Sequence, residues 1–437
     1  MCASVSIKTA VATFLKHNST TLTYTMAVPL LRHVHKLLFS RPNSSLCYAA
    51  NRMFSAEASR HRKKSADEPT KSNLNNPPNF PSDIEEDLED LRREARQEKR
   101  KKQAESELHE EDAKDENKPN PSICLFPGQG SQFVGMGKKL LKHSNVEAMY
   151  EVASDILGYN LLDICLKGPR MELSRTIYCQ PAILVTSLAA VQALNDTQPQ
   201  VIENCVSTAG YSVGEITALT FADAIDFEDA VRLVKSRAEF MEEASEKVPS
   251  GMLTVILGPD NRLKVALEGA EQYCRDKYEI AEPVCVNAID LYPEVKVVAG
   301  HNEALEFIQK YGSDFGIRRT KRVAVSGAFH TAIMGEAQEK YTAVLKDIPL
   351  RKPLIPVYSN VTGKQFHSTK DIRKLLAKQL CTKVKWEQTM HQLYHRPATV
   401  EAESFPDTYE VGPGMQLGAM LKKKNAKAHE VYYAVTC

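Results

Sequence analysis

A serine flanked by glycines is the strongest chemical signal in the sequence. Gly210-Tyr211-Ser212-Val213-Gly214 follows an apolar, strand-like run and precedes a helical run. A G-x-S-x-G sequence in that context forms a sharp strand-to-helix turn that exposes the serine oxygen. The first helical turn beyond it supplies free N–H groups and the positive end of the helix dipole, which stabilise an oxyanion. Ser212 is therefore a candidate nucleophile.

A second glycine-rich segment, Gly128-Gln129-Gly130, follows an apolar run that begins at Ile123. The segment lacks the Lys and Ser/Thr that end a phosphate-binding loop, so nucleotide binding is not indicated. Two interpretations stay open. The glycines let the backbone approach a ligand, with the Gln129 N–H facing the same oxyanion, or the segment is an ordinary turn between a strand and a helix.

A serine nucleophile needs a base, and His330 is the best placed of the 12 histidines. It lies in Ser326–Thr331 (sequence SGAFHT), between a predicted strand and a predicted helix. Side chains at the carboxyl end of a strand commonly form the site of an α/β protein. His301, which follows Gly300, is a weaker candidate.

Arg237 occupies an unexpected position. In the helix predicted to begin near Asp226, it falls in the middle of the face formed by Leu233, Val234 and Met241. A guanidinium directed toward a core is costly unless an anion pairs with it. Either an internal carboxylate does so, or a substrate carboxylate is held there by two parallel hydrogen bonds.

Strand-like and helical runs alternate beyond residue 121, which predicts an α/β fold with a largely parallel sheet. The predicted strands are Ile123–Phe126, Val201–Ala209, Met252–Leu257, Val284–Val286, Val295–Ala299, Val323–Val325 and Ile355–Tyr358. The predicted helices are Lys138–Leu157, Pro181–Leu194, Asp226–Glu246, Arg262–Tyr278, Glu303–Gly312 and Thr331–Lys346.

The residues before this region differ in composition. Residues 1–56 contain no Asp or Glu but contain scattered Lys and Arg among many Ser and Thr, which is typical of a mitochondrial transit peptide. Residues 57–120 carry dense charge of both signs, and such a tract usually stays solvated as a linker or forms a single exposed helix. A partner-binding helix is the alternative there.

The overall composition excludes several functions. The 56 Lys and Arg balance 55 Asp and Glu, whereas a protein that neutralises nucleic-acid phosphates needs a basic excess. The chain has no run of 18 uninterrupted apolar residues, so we expect no membrane insertion. The 10 cysteines form no C-x-x-C pair and no cluster with histidine at zinc spacing, so we expect no metal and no cofactor.

Taken together, four features resemble the malonyl-CoA:acyl-carrier-protein transacylase family. They are the Gly128–Gln132 segment (GQGSQ), the Gly210–Glu215 segment (GYSVGE), Arg237, and the Gly327–His330 segment (GAFH). Their order and approximate spacing match that family over about residues 123–422. The commoner nucleophile motif is G-H-S-L-G, so Tyr211 and Val213 are departures that bear on acyl selectivity.

The resemblance implies roles for eight residues. Ser212 is the acylated nucleophile, His330 its general base, and Arg237 the residue that holds the malonyl carboxylate. Other residues line the site: Gln129 and Val213 through oxyanion-binding N–H groups, Gln379 through a carbonyl that orients the histidine, and Gln180 and Asn287 through their side chains.

The resemblance also implies the architecture and the partners. An α/β-hydrolase-like domain over 121–249 and 316–437 is interrupted by a ferredoxin-like domain over 250–315. The substrates are malonyl-CoA and holo acyl carrier protein, the compartment is the mitochondrial matrix, and the protein is a monomer. Two alternatives remain: a serine hydrolase or thioesterase, which shares the serine and histidine, and a non-catalytic interaction protein.

Overall fold

The structure of the protein is a computed structural model that describes residues 120–395 and 405–437. The expected transit peptide over 1–56 and the charged tract over 57–120, apart from Asn120, lie outside the described residues. The described residues form one compact unit.

The described residues contain nine strands in two sheets. The strands are β1 (Ser122–Phe126), β2 (Cys205–Gly210), β3 (Ser250–Leu257), β4 (Cys285–Tyr292), β5 (Val295–His301), β6 (Ile317–Arg322), β7 (Val357–Tyr358), β8 (Asp407–Val411) and β9 (Tyr432–Val435).

They are connected by α-helices. These are α1 (Val146–Leu157), α2 (Leu161–Lys167), α3 (Arg170–Leu173), α4 (Thr176–Thr197), α5 (Pro199–Glu203), α6 (Gly214–Phe221), α7 (Phe227–Lys247), α8 (Leu263–Tyr278), α9 (Asn302–Tyr311), α10 (Gly335–Asp347), α11 (Thr369–Gln379), α12 (Trp386–Leu393), α13 (Gln416–Lys424) and α14 (Ala426–Glu430).

The larger sheet has the order β7-β2-β1-β8-β9, and all of its strand pairs are parallel. All five residues of β1 are buried, because helices cover both faces of a parallel sheet. The carboxyl ends of β1, β2 and β7 therefore lie side by side, and the loops that leave them can form one site.

The smaller sheet is antiparallel, with the order β4-β5-β3-β6. Helices α8 and α9 pack on it through Ala266, Ala270, Leu305 and Ile308, which form a second apolar core with residues of the strands. The expected boundary at residue 315 falls before β6, which is an integral edge strand, so the segment that forms this sheet extends through Arg322.

Four predicted strands differ from the structure. Val284–Val286 covers only the beginning of β4, and only the last two residues of Ile355–Tyr358 form β7. Val323–Val325 is not a strand; the strand there is β6, whose sequence IRRTKR conceals it because an exposed edge strand carries charges. His330 therefore follows a strand of the antiparallel sheet rather than one of the parallel sheet. The run that begins at Val201 first forms the end of α5, and β2 begins only at Cys205.

Three helices also differ from their predicted bounds. Helix α4, predicted over Pro181–Leu194, extends from Thr176 to Thr197. Residues 138–144 form turns before α1, and a short 3-10 helix (Ala332–Met334) precedes α10. Helix α4 is long and apolar enough to cross a membrane by length and composition alone. However, 78% of its most apolar window is buried inside the protein, so these apolar residues belong to the core.

Candidate active site

Ser212 lies on the tight turn that joins β2 to α6, at the carboxyl edge of the parallel sheet. Its φ is 54°, in the left-handed region, where a non-glycine residue is strained. A Cβ on Gly210 would lie 1.8 Å from the carbonyl oxygen of Gly214, and a Cβ on Gly214 would lie 2.4 Å from that of Phe126. Only glycine fits at either position, so the flanking glycines fix this turn.

His330 lies beside the serine although 118 residues separate them in the chain. The Ser212 hydroxyl is 2.9 Å from Nε2 of His330, and Nδ1 is 2.8 Å from the backbone carbonyl of Gln379. Because a carbonyl only accepts, Nδ1 carries the proton and Nε2 is free to accept the serine proton. His330 also has a positive φ, 63°.

The environment keeps this imidazole neutral. Burial, together with the nearby Arg237 charge, lowers the pKa of His330 to about 4, and the Gln379 carbonyl opposes the shift only in part. His330 is therefore an unprotonated acceptor at neutral pH.

Arg237 extends from α7 into the same cluster and is 1% exposed. Its guanidinium donates to the side-chain oxygens of Gln180 (2.6 Å) and Gln379 (2.8 Å), and Nη2 lies 3.3 Å from the Ser212 hydroxyl. Burial lowers the pKa of Arg237, but an arginine stays charged in a protein. Among the described residues, no Asp or Glu forms an ion pair with it. The internal ion pair that the sequence left open is thus not formed within residues 120–395 and 405–437.

The other predicted site residues are partly connected to this cluster. Gln180, on α4, donates to Gln129 at 3.5 Å, and Gln129 donates to Thr176 at the same distance. No oxygen within the described residues accepts from the backbone N–H of Gln129 or of Val213. Both N–H groups are therefore available to a ligand.

Asn287 and His301 lie on the smaller sheet. Asn287 donates to Asp290 at 2.8 Å and has no hydrogen bond to Ser212, His330 or Arg237 in the described part of the chain. His301 accepts from the backbone N–H of Val284 at 3.0 Å, so it joins two strand ends and is not the partner of the serine.

Sequence reasoning missed two polar residues beneath the nucleophile. Asn360 accepts from the Ser212 N–H and donates to the Gly210 carbonyl, each at 2.7 Å. Glu215 is fully buried and accepts from the backbone N–H of Asn360 (3.1 Å) and the side chain of Gln379 (2.5 Å). Burial raises the pKa of Glu215 to about 7, against these hydrogen bonds and the Arg237 charge.

The sequence held a weak signal for both residues. Asn360 comes two residues after β7, at the same sheet edge as Ser212, and Glu215 interrupts an apolar helix. In the part of the chain that the structure describes, no cluster of three or more His, Cys, Asp or Glu side chains is arranged to hold a metal ion. The cluster combines a nucleophile, a neutral base, free N–H donors and a buried cation, a set that fits transfer of an acyl group bearing a carboxylate.

Fold, site and sequence define the class of the protein. The family described as acyl transferase domain matches residues 123–408, and the chain belongs to that family of acyltransferases. Proteins of the same family with solved structures have the same α/β class, with parallel and antiparallel sheets, so the predicted fold class is confirmed at that level.

Individual relatives are close. The chain is 51% identical over 314 residues to the human protein named malonyl-CoA-acyl carrier protein transacylase, mitochondrial, covering 72% of this chain and 80% of that one. It is 34% identical over 300 residues to the Escherichia coli protein named malonyl CoA-acyl carrier protein transacylase, covering 68% and 91%. The predicted resemblance to this group is thereby confirmed.

Solved structures agree. The Coxiella burnetii malonyl CoA-acyl carrier protein transacylase superposes with a TM-score of 0.63 at 27% identity, covering 72% of this chain and 94% of that one. A malonyl-transacylase solved in complex with a type II polyketide synthase acyl-carrier protein gives a TM-score of 0.61 at 31% identity, with coverages of 72% and 94%.

Proposed function

We propose that the protein transfers the malonyl group of malonyl-CoA to the phosphopantetheine thiol of holo acyl carrier protein through a malonyl-serine intermediate. The relatives named malonyl-CoA-acyl carrier protein transacylase match 72% and 68% of the chain. The reaction exchanges one thioester for another, so it needs no redox partner. The names of the relatives and the acid-free N-terminal segment support action in the mitochondrion, and we place it in the matrix.

One observation carries the proposal: the charged, buried Arg237 forms no ion pair with any Asp or Glu that the structure describes, and it lies 3.3 Å from the Ser212 hydroxyl. A buried cation whose hydrogen-bond acceptors in the described part of the chain are all neutral is a costly arrangement unless it serves a ligand. The free carboxylate of a malonyl group supplies that anion while its thioester carbonyl reaches Ser212. An ordinary esterase does not need this arginine.

The first step is acylation of the enzyme. His330 Nε2 takes the Ser212 proton as the serine oxygen attacks the thioester carbon. The Gln129 and Val213 N–H groups stabilise the resulting oxyanion. These groups need not reorganise during the reaction, because the turns after β1 and β2 already hold them in place. The C–S bond then breaks, the coenzyme A thiolate leaves with the proton from the imidazolium, and malonyl-Ser212 remains.

The second step reverses this chemistry with a different thiol. His330 takes the proton of the phosphopantetheine thiol, sulfur attacks the malonyl-serine ester, and Ser212 leaves with the proton. A carbonyl on Nδ1 stabilises the imidazolium less than a buried aspartate does. A thiol needs less help than water because it is far more acidic, so this weaker base favours transfer over hydrolysis.

The finer architecture belongs to the same proposal. The order of elements β3-α8-β4-β5-α9-β6 and the sheet order support a ferredoxin-like domain inserted into an α/β-hydrolase-like one. We propose Gln180 and Asn287 as residues of the acyl cleft, with Asn287 reaching it from the inserted domain. We further propose that the protein acts as a monomer, without nucleic acid, metal or membrane insertion.

The test is incubation with malonyl-, methylmalonyl-, acetyl- and succinyl-CoA, followed by intact mass measurement with and without holo carrier protein. We expect a malonyl adduct on Ser212 that is discharged to the carrier, and none in Ser212→Ala. An adduct that hydrolyses in water as fast as it is discharged would favour a hydrolase. Unimpaired transfer by Ser212→Ala would exclude the covalent route.

A further inference from the structure

We propose that Glu215 is a positioning residue that acts through Gln379 and Asn360. Through these two residues it aligns Ser212, His330 and Arg237. It also places a negative charge near the Arg237 guanidinium, with the Gln379 amide between the two charges. The inference deepens the proposed function and rests on it for the role of Arg237.

The first support is the position of the carboxylate within the hydrogen-bond network. A single oxygen, Oε2, accepts both from the Asn360 backbone N–H at 3.1 Å and from Nε2 of Gln379 at 2.5 Å. The other oxygen, Oε1, is buried and accepts no hydrogen bond of good geometry from the described residues, although the Ser359 side chain lies close enough to lower the pKa of the carboxyl. Leaving a buried oxygen unpaired is unfavourable, so packing and the two bonds to Oε2 hold the group in place.

The second support is that the two hydrogen-bond partners of Glu215, Asn360 and Gln379, contact the reactive residues directly. Asn360 fixes the nucleophile turn through the Ser212 N–H and the Gly210 carbonyl, each at 2.7 Å. Gln379 contacts the site through its backbone and its side chain. Its backbone carbonyl accepts from Nδ1 of His330 at 2.8 Å, and its side chain accepts from Arg237 at 2.8 Å and donates to the Ser212 carbonyl at 3.1 Å.

The third support is charge. The Gln379 amide lies between the guanidinium and the carboxylate, with its oxygen toward Arg237 and its nitrogen toward Glu215. The dipole of the amide thus stabilises both charges. The amide also keeps Glu215 from pairing directly with Arg237, so the guanidinium stays available to the substrate carboxylate. The other titratable groups near Glu215 and Arg237 are His330 and Tyr341, whose buried hydroxyl is unpaired within the described residues.

This geometry separates the two roles experimentally. Because both hydrogen bonds fall on one oxygen, Glu215→Gln keeps an acceptor for each and removes only the charge. Glu215→Ala removes the acceptor as well. Glu410→Gln is the matched control: Glu410 is also fully buried, but it accepts from the first turn of α13 and from Tyr432 and touches none of the reactive groups.

Alignment is tested with phenylmethanesulfonyl fluoride, a small neutral serine reagent that does not need Arg237. With the full chain, we expect the rate of Ser212 sulfonylation to fall about tenfold or more in Glu215→Ala. The sulfonylation rate should stay within about twofold of wild type in Glu215→Gln, which keeps the acceptor for Gln379 and Asn360. It should also stay within about twofold in Glu410→Gln, which leaves the surroundings of Ser212 unchanged. Melting curves verify that each variant is folded. Equal rates for Glu215→Ala and Glu410→Gln would overturn the positioning role.

Charge is tested with malonyl-CoA and acetyl-CoA. At pH 8, Glu215→Gln should lower the KM for malonyl-CoA about threefold, since the repulsion between Glu215 and the substrate carboxylate disappears. The KM for acetyl-CoA should not change. At pH 6 the difference from wild type should shrink, because the carboxyl with a pKa of about 7 is then largely protonated. An unchanged or raised KM for malonyl-CoA at pH 8 would overturn the charge role.

The two failures can be told apart. A wild-type protein that forms no malonyl adduct refutes the proposed function, yet the sulfonylation rates still decide whether Glu215 aligns the serine. If Glu215→Ala fails to fold, then the KM values of Glu215→Gln decide the proposal on their own.

Discussion

Arg237 lies 3.3 Å from the hydroxyl of Ser212, although the two residues belong to different elements and the guanidinium has no carboxylate partner among the described residues. The nucleophile and the cation therefore belong to one site. A substrate that satisfies both must carry a carboxylate a short distance from its reactive carbonyl, as a malonyl thioester does.

The first prediction concerns that cation. Arg237→Ala should lower malonyl transfer about 100-fold, because a charge-assisted hydrogen-bonded pair contributes about 1.5–3 kcal/mol. The preference for malonyl over acetyl groups should relax at the same time. Competition between the two acyl-CoAs, read by intact mass, measures both effects. Arg237→Lys keeps the charge and loses the planar fork, so its rate of malonyl transfer should lie between those of the wild type and of Arg237→Ala. Unchanged malonyl preference in the alanine variant would refute the carboxylate role.

The second prediction concerns pH. With a pKa of about 4, His330 accepts a proton at any pH well above that value, so the acid limb of kcat/KM should lie near pH 4. The malonyl carboxylate neutralises Arg237, one cause of the low pKa, so the acid limb of kcat should lie at higher pH than that of kcat/KM. Acetyl-CoA lacks the carboxylate and serves as the control. Coincident limbs for malonyl-CoA would contradict this coupling.

The lowered pKa of His330 should also make the folding stability depend on pH. The imidazole binds a proton more weakly in the folded state than in the unfolded chain, whose histidine pKa is about 6.5. Between that value and about 4 the unfolded state binds more protons, so the contribution of His330 to stability is present above pH 6.5 and is lost as the pH falls. His330→Gln should flatten this part of the urea unfolding profile. Glu215, with its raised pKa, contributes in the opposite sense, and its stabilisation fades as the pH rises through 7.

The third prediction concerns the turn. Gly210→Ala should destabilise the fold by more than about 4 kcal/mol, because the new Cβ would meet rigid backbone. Gly335→Ala is the control: its Cβ would meet nothing within 4 Å at the start of α10, so we expect a gain of up to about 1 kcal/mol. Urea unfolding measures both. Similar stabilities for the two variants would show that the turn tolerates a side chain.

The fourth prediction concerns carrier-protein docking. Carrier proteins are typically acidic, and β6 presents Arg318, Arg319 and Lys321 to solvent at the edge of the smaller sheet. Reversing the first two to Glu should raise the KM for holo carrier protein about tenfold and leave that for malonyl-CoA unchanged.

The basic run at the end of α13 gives a second docking test. Lys424 pairs with Glu387 at 2.9 Å and is largely buried, so only Lys422 and Lys423 are tested there. Lys264→Glu, on the exposed face of α8, is the control. If charge reversal in both clusters leaves the carrier KM unaltered, docking uses neither.

The sequence singles out the residues that we propose to react more readily than the residues that hold them in place. Ser212, His330 and Arg237 stand out because each is an unusual residue in its local pattern. Gln379 was assigned only a backbone role, whereas its side chain also contacts Arg237 and Glu215. Asn360 went unnoticed, because its importance depends on which strand lies next to β2 in the sheet. Such pairings between distant segments leave no local pattern.

Elements were predicted well where a buried face is periodic. Helix α7 was expected over Asp226–Glu246 and lies at Phe227–Lys247, since its apolar stripe is regular. Strand β6 was missed because its side chains face solvent, so neither alternation nor apolarity marks it. The loop from β6 to His330 was therefore attached to the wrong sheet. The role of His330 stays a prediction, although the structure places its Nε2 beside the Ser212 hydroxyl.

The left-handed backbone of Ser212 and His330 has a consequence for how the protein tolerates change. Each such residue costs on the order of 1–3 kcal/mol, which the rest of the fold must offset. Replacing Ser212 by glycine relieves that tension while it destroys the chemistry. Ser212→Gly should thus yield a more stable but inactive protein, whereas Ser212→Ala keeps the Cβ and its strain, so selection for heat resistance alone would favour glycine at the position of the proposed nucleophile.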